Sequence, residues 1–105
     1  MTFSEYQRAA LATALPKAKS LTYMILGLTN EAGEVAGKLK KYIRGDKKLP
    51  VLKEELSQEL GDVLWYVAGA AEQAGLSLHR IAFDNIKKLH DRQLRGKIQG
   101  DGDTR

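Results

Sequence analysis

Two pairs of acids carry the chemistry legible in this chain. Glu31 and Glu34 lie within Leu28-Thr-Asn-Glu-Ala-Gly-Glu-Val35, and Glu59 and Asp62 within Glu59-Leu-Gly-Asp62. Each pair is three residues apart, so a helix places its two carboxylates on neighbouring surface, one turn from each other. Four acids can then converge from two helices. Glu31 falls three residues after Leu28 and four before Val35, and Glu59 lies between Leu56 and Val63, so both interrupt apolar stripes. A carboxylate in that position needs a cation or several donors to offset its lost hydration. Oxygen donors without histidine or sulfur among them select Mg²⁺, or else Mn²⁺, over zinc, copper or iron. Such a cluster repels phosphate until a divalent cation inverts the local potential, after which it holds phosphate.

Further along, Asn85 sits between Ile81 and Leu89, with Lys88 and Arg92 flanking the same line. An amide on an apolar stripe requires partners, and these three side chains suit oxygens that a metal does not reach. His79 and His90 lack a glutamate three residues before them, which separates the pattern from a ferritin-like di-iron site, and both read as exposed helix residues. No Ser-His-Asp arrangement, glycine-rich dinucleotide motif or P-loop is present. Glu-x-x-Glu alone is common on solvated helices; the signal is its pairing with Glu-x-x-Asp, both on the edges of apolar stripes.

The elements that position these residues are helical. A first helix is expected from Thr2 to Leu15, ended by Pro16, and a second, capped by Ser20, to about Ile43 with Met24, Leu28, Val35, Leu39 and Tyr42 inward. Lys47 to Pro50 reads as loop. The third runs from near Val51 to Ala74 with Leu56, Leu60, Val63, Val67 and Ala70 inward, and the fourth from a Ser77 cap to about Arg95 with Leu78, Ile81, Ala82 and Leu89 as its stripe. Gly27, Gly33 and Gly37 each cost roughly 1 kcal/mol against Ala in a helix interior, which close approach of a helix or ligand would explain. No β alternation or repeat appears. The chain is all-α, a four-helix arrangement with the second and third helices side by side. Residues 1–96 form one domain and residues 97–105 a polar, glycine-rich C-terminal tail.

A length of 105 residues leaves room for one domain. The chain has no cysteine, so disulfides, thiolate metal sites and cysteine nucleophiles are excluded. No leader or membrane-spanning run is evident, and the expected setting is cytoplasmic. The net charge of +4 is mild and its basic residues cluster at helix ends, where they complement the helix dipole, so nucleic acid is not the partner it points to.

Glu31-x-x-Glu34 and Glu59-x-x-Asp62, separated by residues 35–58, resemble the signature of the MazG-type all-α nucleoside triphosphate pyrophosphohydrolases. Gly27-Leu-Thr-Asn-Glu-Ala-Gly-Glu34, Glu59-Leu-Gly-Asp-Val-Leu-Trp-Tyr66 and Asn85-x-x-Lys88-Leu-x-x-Arg92 are similar to that family's three helical blocks. The resemblance implies a MazG-like helical bundle that forms a dimer or dimer of dimers. It also implies Mg²⁺-dependent hydrolysis of a (deoxy)nucleoside triphosphate to the monophosphate and pyrophosphate. It makes Glu31, Glu34, Glu59 and Asp62 the metal ligands and Asn85, Lys88 and Arg92 the substrate side. Glu34 is the preferred acceptor for the proton of the attacking water, and Tyr6, Gln7, Trp65 and Tyr66 are candidates to meet the base.

Two other readings stand beside this one. A helical interaction module, binding nucleic acid or an acidic partner through its basic face, explains the charge but leaves Glu31, Glu59 and Asn85 without a cause. A regulatory subunit that binds nucleotide without turnover keeps the acids and loses the catalysis. Ile25, Leu26, Leu64 and Ile86 lie off the inner stripes and would form an exposed patch on a monomer, which a two-fold contact would bury.

Overall fold

The hydroxyls of Thr2, Ser20 and Ser77 each accept a hydrogen bond from the main-chain N–H three residues on, at Glu5, Tyr23 and Arg80. Each satisfies a donor that the first helical turn leaves free. In the computed structural model, which describes all 105 residues, they open three of four helices: α1 Phe3–Leu11, α2 Leu21–Ile43, α3 Leu49–Gln73 and α4 Leu78–Leu94. There is no strand, and a short 3-10 turn at Pro16–Ala18 joins α1 to α2. Gly45 and Gly75, with φ of 93° and 71°, follow the ends of α2 and α3, where a left-handed residue closes a helix with least strain. No helix is long and apolar enough to cross a membrane.

Two boundaries differ from expectation. α1 stops at Leu11, four residues early, because the carbonyl of Ala10 is taken by the Trp65 indole N–H at 3.1 Å and by the Thr13 hydroxyl at 2.6 Å. A contact from α3 thus overrides the helix-forming Ala12-Thr-Ala-Leu15. α3 begins at Leu49, not Val51, with Pro50 in its first turn, where the missing N–H costs nothing.

α2 and α3 pack side by side over most of their length and form the body of the molecule. Among the buried and half-buried positions, 24, 28, 31, 35, 38 and 42 on α2 and 52, 56, 59, 63, 66 and 70 on α3 form one line along each helix. These alternate steps of four and three, the spacing of helices that cross at a shallow angle. Leu39 and Leu60, read as inward, are exposed; Lys38 and Glu59 occupy the seam in their place. The register makes two close approaches. A Cβ on Gly27 would overlap the Tyr66 ring, and one on Gly69 would overlap the Met24 side chain, which is fully buried. At Gly33 and Gly37 nothing lies within 4 Å of such an atom.

α1 lies against α3 and α4. Gln7, buried, donates its amide to the Glu72 carboxylate at 2.9 Å and to the Leu76 carbonyl at 3.0 Å, and accepts from the Leu78 N–H at 2.8 Å. It thereby ties α1 to the α3–α4 turn. α4 touches its neighbours over little of its length, and the radius of gyration is 16.5 Å against about 13 Å for a compact chain of this size. The helices form an open arrangement. The α4 stripe is accordingly exposed at Ile81 and Leu89, and Asn85 between them is exposed and needs no partner. Ile25, Leu26, Leu64 and Ile86 are all exposed as expected.

The glycines divide by what they meet. Gly27→Ala should lower stability by about 1–3 kcal/mol, the range for overpacking a fitted contact. Gly33→Ala should raise it by up to about 1 kcal/mol through helix propensity alone. Thermal denaturation followed by circular dichroism checks both; a loss at Gly33 would mean that something outside this chain packs there.

Candidate metal and nucleotide site

The seam between α2 and α3 is apolar at Met24, closed by aromatic contact at Gly27 and Tyr66, and acidic one turn further on. There Glu31 from α2 meets Glu59 and Asp62 from α3, with one carboxylate oxygen of each within 4.8 Å of the others. The helical register sets this up: the step that lays Tyr66 over Gly27 brings Asp62 opposite Glu31. Glu31 and Glu59 are half-buried and Asp62 is exposed, so the cluster sits at the edge of the packed seam and opens to solvent on one side.

Four acids were expected and three come together. Glu34 is exposed and outside the trio, because a step of three from Glu31 leads off the seam, which continues at Val35. It remains close enough to add to the negative field at Glu31.

Burial, followed by the carboxylates of Asp62 and Glu59, holds the Glu31 carboxyl above its ordinary range, and a hydrogen bond to Glu59 favours its protonated form. The one cation within ion-pair distance of the trio is Lys38, 3.8 Å from Glu59. Three carboxylates facing one lysine form an incompletely neutralised set with the chemistry of a hard-cation site.

An open cavity of about 330 Å³ adjoins the acids, lined by Glu31, Asp62, Trp65 and Tyr66. Trp65 and Tyr66 stand edge to face with centroids 5.0 Å apart, and Tyr23 lies 6.4 Å from Tyr66. The Trp65 N–H is committed to Ala10 and Thr13 of the α1 end, so its ring is fixed. Burial and then the neighbouring Tyr23, with Glu31 and Asp62 adding, raise the Tyr66 hydroxyl; burial and then Asp62 raise that of Tyr6. Tyr6 carries a signal that Gln7 lacks: both amide hydrogens of Gln7 are held by Glu72 and Leu76.

The α4 residues lie apart from the trio. Lys88 is half-buried and Arg92 buried, and both bind Asp103 from the segment after α4. His79 and His90 are exposed and line a separate, nearly apolar cavity of about 440 Å³ between α1 and α4 that contains no acid.

Residues 19–95 match the model of the MazG nucleotide pyrophosphohydrolase domain, a span that includes both acid pairs and the Asn85, Lys88 and Arg92 helix. The chain is also 44% identical over 110 residues to the Gene 37 protein of Mycobacterium phage L5, which covers 95% of this chain and 96% of the phage protein. No solved structure matches the chain significantly.

The raised Glu31 carboxyl has a measurable consequence. A carboxyl that titrates higher in the folded than in the unfolded chain favours folding while protonated, and that contribution disappears as pH rises from its ordinary value of 4.5 through the folded value. In chelator at pH 7–8, Glu31→Gln should therefore melt at a higher temperature than the wild type, and the difference should close by pH 4. Glu59→Gln should gain less, since it also gives up Lys38. Differential scanning calorimetry across this pH range decides it; a lower melting temperature for Glu31→Gln at pH 8 would show that Lys38 already neutralises the cluster.

Proposed function

Because the chain belongs to the MazG nucleotide pyrophosphohydrolase family, we propose that it hydrolyses a (deoxy)nucleoside triphosphate to the monophosphate and pyrophosphate with Mg²⁺. The observation that carries this reading is the meeting of Glu31, Glu59 and Asp62 across the α2–α3 seam, beside a cavity walled by Trp65 and Tyr66. Glu31, Glu59 and Asp62 would hold the cation. When bound there, a divalent cation attracts phosphate oxygens to an otherwise repellent surface and acidifies nearby water.

The remaining work belongs to the chain. Glu34, one turn from Glu31 and outside the trio, is the carboxylate left to accept the proton of the attacking water. The water oxygen bonds to the α-phosphorus, the bond to the oxygen bridging to the β-phosphorus breaks, and pyrophosphate leaves with that electron pair. Trp65 and Tyr66 offer fixed aromatic surface for a base, with Tyr6 a further candidate. Asn85, Lys88 and Arg92 supply an amide and two cations for the phosphates that the acids do not reach.

The interaction-module reading has less behind it. Arg44, Arg80, Arg92 and Arg95 are each bonded to an acid of this chain, which leaves no free arginine-rich face among them.

The functional unit is proposed to be a homodimer, or a pair of dimers, with the site near the interface. Ile25 and Leu26 on α2, Leu64 on α3 and Ile86 on α4 are 45%, 67%, 36% and 67% exposed, apolar surface that a second copy would cover. α4 runs largely free of α2 and α3, so a second copy would be needed to wall the cleft.

Two outcomes test this reading. Glu59→Gln should lower turnover at least about 100-fold, beyond the usual cost of disturbing a metal site's supporting residues, while its circular dichroism stays helical. Ion-exchange chromatography should resolve monophosphate and pyrophosphate without accumulating diphosphate; diphosphate with orthophosphate would mean attack at the terminal phosphate. Separately, light scattering on a size-exclusion column at micromolar concentration should give twice or four times the chain mass of 11.6 kDa. A fully active monomer would overturn the assembly.

A further inference from the structure

The residues after α4 do not trail away from it. They fold back along the helix and bring Asp103 onto Lys88 and Arg92. Lys88 Nζ donates to Asp103 Oδ1 at 3.0 Å. Arg92 Nη2 donates to the Asp103 carbonyl at 2.6 Å and lies 3.4 Å from Oδ1. Arg105 holds the fold-back closed, donating to the carbonyls of Ile98 at 2.9 Å and Gly102 at 2.6 Å, while its own carbonyl accepts from Arg95 at 2.9 Å.

The two sides of this contact are unequal. Arg92 is 4% exposed, and its Nε is buried without a hydrogen-bond partner. Asp103 has a side chain 83% exposed. A buried guanidinium with an unused donor marks a site built for more acceptor oxygen than one aspartate supplies. A phosphoryl group carries more charge and a further oxygen, so it can meet the same two cations and leave one acceptor over. The carboxylate and carbonyl of Asp103 resemble part of such a group.

We propose that residues 97–105 act as an internal competitor, with Asp103 occupying on α4 the cationic site that receives substrate phosphate oxygens, so that the segment must lift before nucleotide engages Lys88 and Arg92. This rests on the pyrophosphohydrolase reading for the identity of the anion. An ion pair with one partner this exposed is weak. The segment is therefore a brake that lowers apparent affinity by the fraction of chains closed, and not a block.

The test uses the full chain, with inorganic pyrophosphate as probe in metal-free buffer, followed by isothermal titration calorimetry. Asp103→Asn should bind pyrophosphate about five-fold more tightly than the wild type, the ratio that corresponds to the upper value of an exposed ion pair. Its KM for a nucleoside triphosphate should fall by a similar factor at unchanged kcat. Asp101→Asn removes the same charge from the same segment, but Asp101 bonds only the neighbouring Gly102 N–H, so it should leave both quantities at wild-type values. Equal affinity in wild type and Asp103→Asn, an equal gain in Asp101→Asn, or no binding of pyrophosphate by any of the three would overturn the proposal. A gain confined to Asp103→Asn in protein without turnover would uphold the competitor and count against the hydrolase alone. Turnover with no such gain would do the reverse.

Discussion

The close approach of α2 and α3 is the constraint on which the rest depends. Two glycines permit it, Gly27 under the Tyr66 ring and Gly69 under Met24, and they lie on different helices within about one turn of each other along the seam. Once these contacts fix the register, the next turn must bring Asp62 and Glu59 to Glu31. Apart from the Lys38–Glu59 pair, the acids oppose that packing, since like charges at this separation repel and half-burial adds to the cost. The apolar and aromatic end of the seam therefore holds the acidic part in place. A site that is unfavourable without its cation can persist only beside packing strong enough to carry it.

The helices themselves were largely legible. Cap residues, glycine stops and stripe periodicity are local signals, and Ser20, Ser77, Gly45 and Gly75 act in the structure as their types predict. The failures came where a distant residue intervened. The early end of α1 depends on Trp65, 55 positions away, taking the Ala10 carbonyl, which no propensity within α1 encodes. Leu39 and Leu60 were read as inward because apolarity is the usual marker of a seam. Here the seam is partly ionic, and Lys38 and Glu59 hold those positions with 3.8 Å between them.

The candidate site was legible in type more than in membership. The spacing of the acid pairs sufficed to predict convergence from two helices, but the seam leaves Glu31 by a step of four, to Val35, so Glu34 at a step of three falls off it. Glu34 is thus turned outward while Glu31 is turned in. Asn85 was out of place only under the assumption that the α4 stripe is buried. In an open arrangement that stripe is exposed at Ile81 and Leu89, and the amide between them sits on exposed surface. Gln7 shows the opposite failure: a polar residue near the site is a structural clamp, recognisable only from three bonds to residues about 70 positions away.

A chain with net charge +4 that keeps three carboxylates together must also keep its own cations away from them. An arginine reaching the cluster would neutralise it as a divalent ion does and would compete for the same oxygens. Local pairing limits this. Arg44 is bonded to Asp46, Arg80 to Asp84, Arg95 to Asp91, and Lys47 to Glu55, partners within eight residues in every case. Lys88 and Arg92 are held by Asp103 from the returning segment. What reaches the trio is Lys38, a single charge at the outer limit of ion-pair distance and on a flexible stem. With Lys38 alone inside ion-pair distance, the cluster retains the uncompensated charge that gives a metal reason to bind.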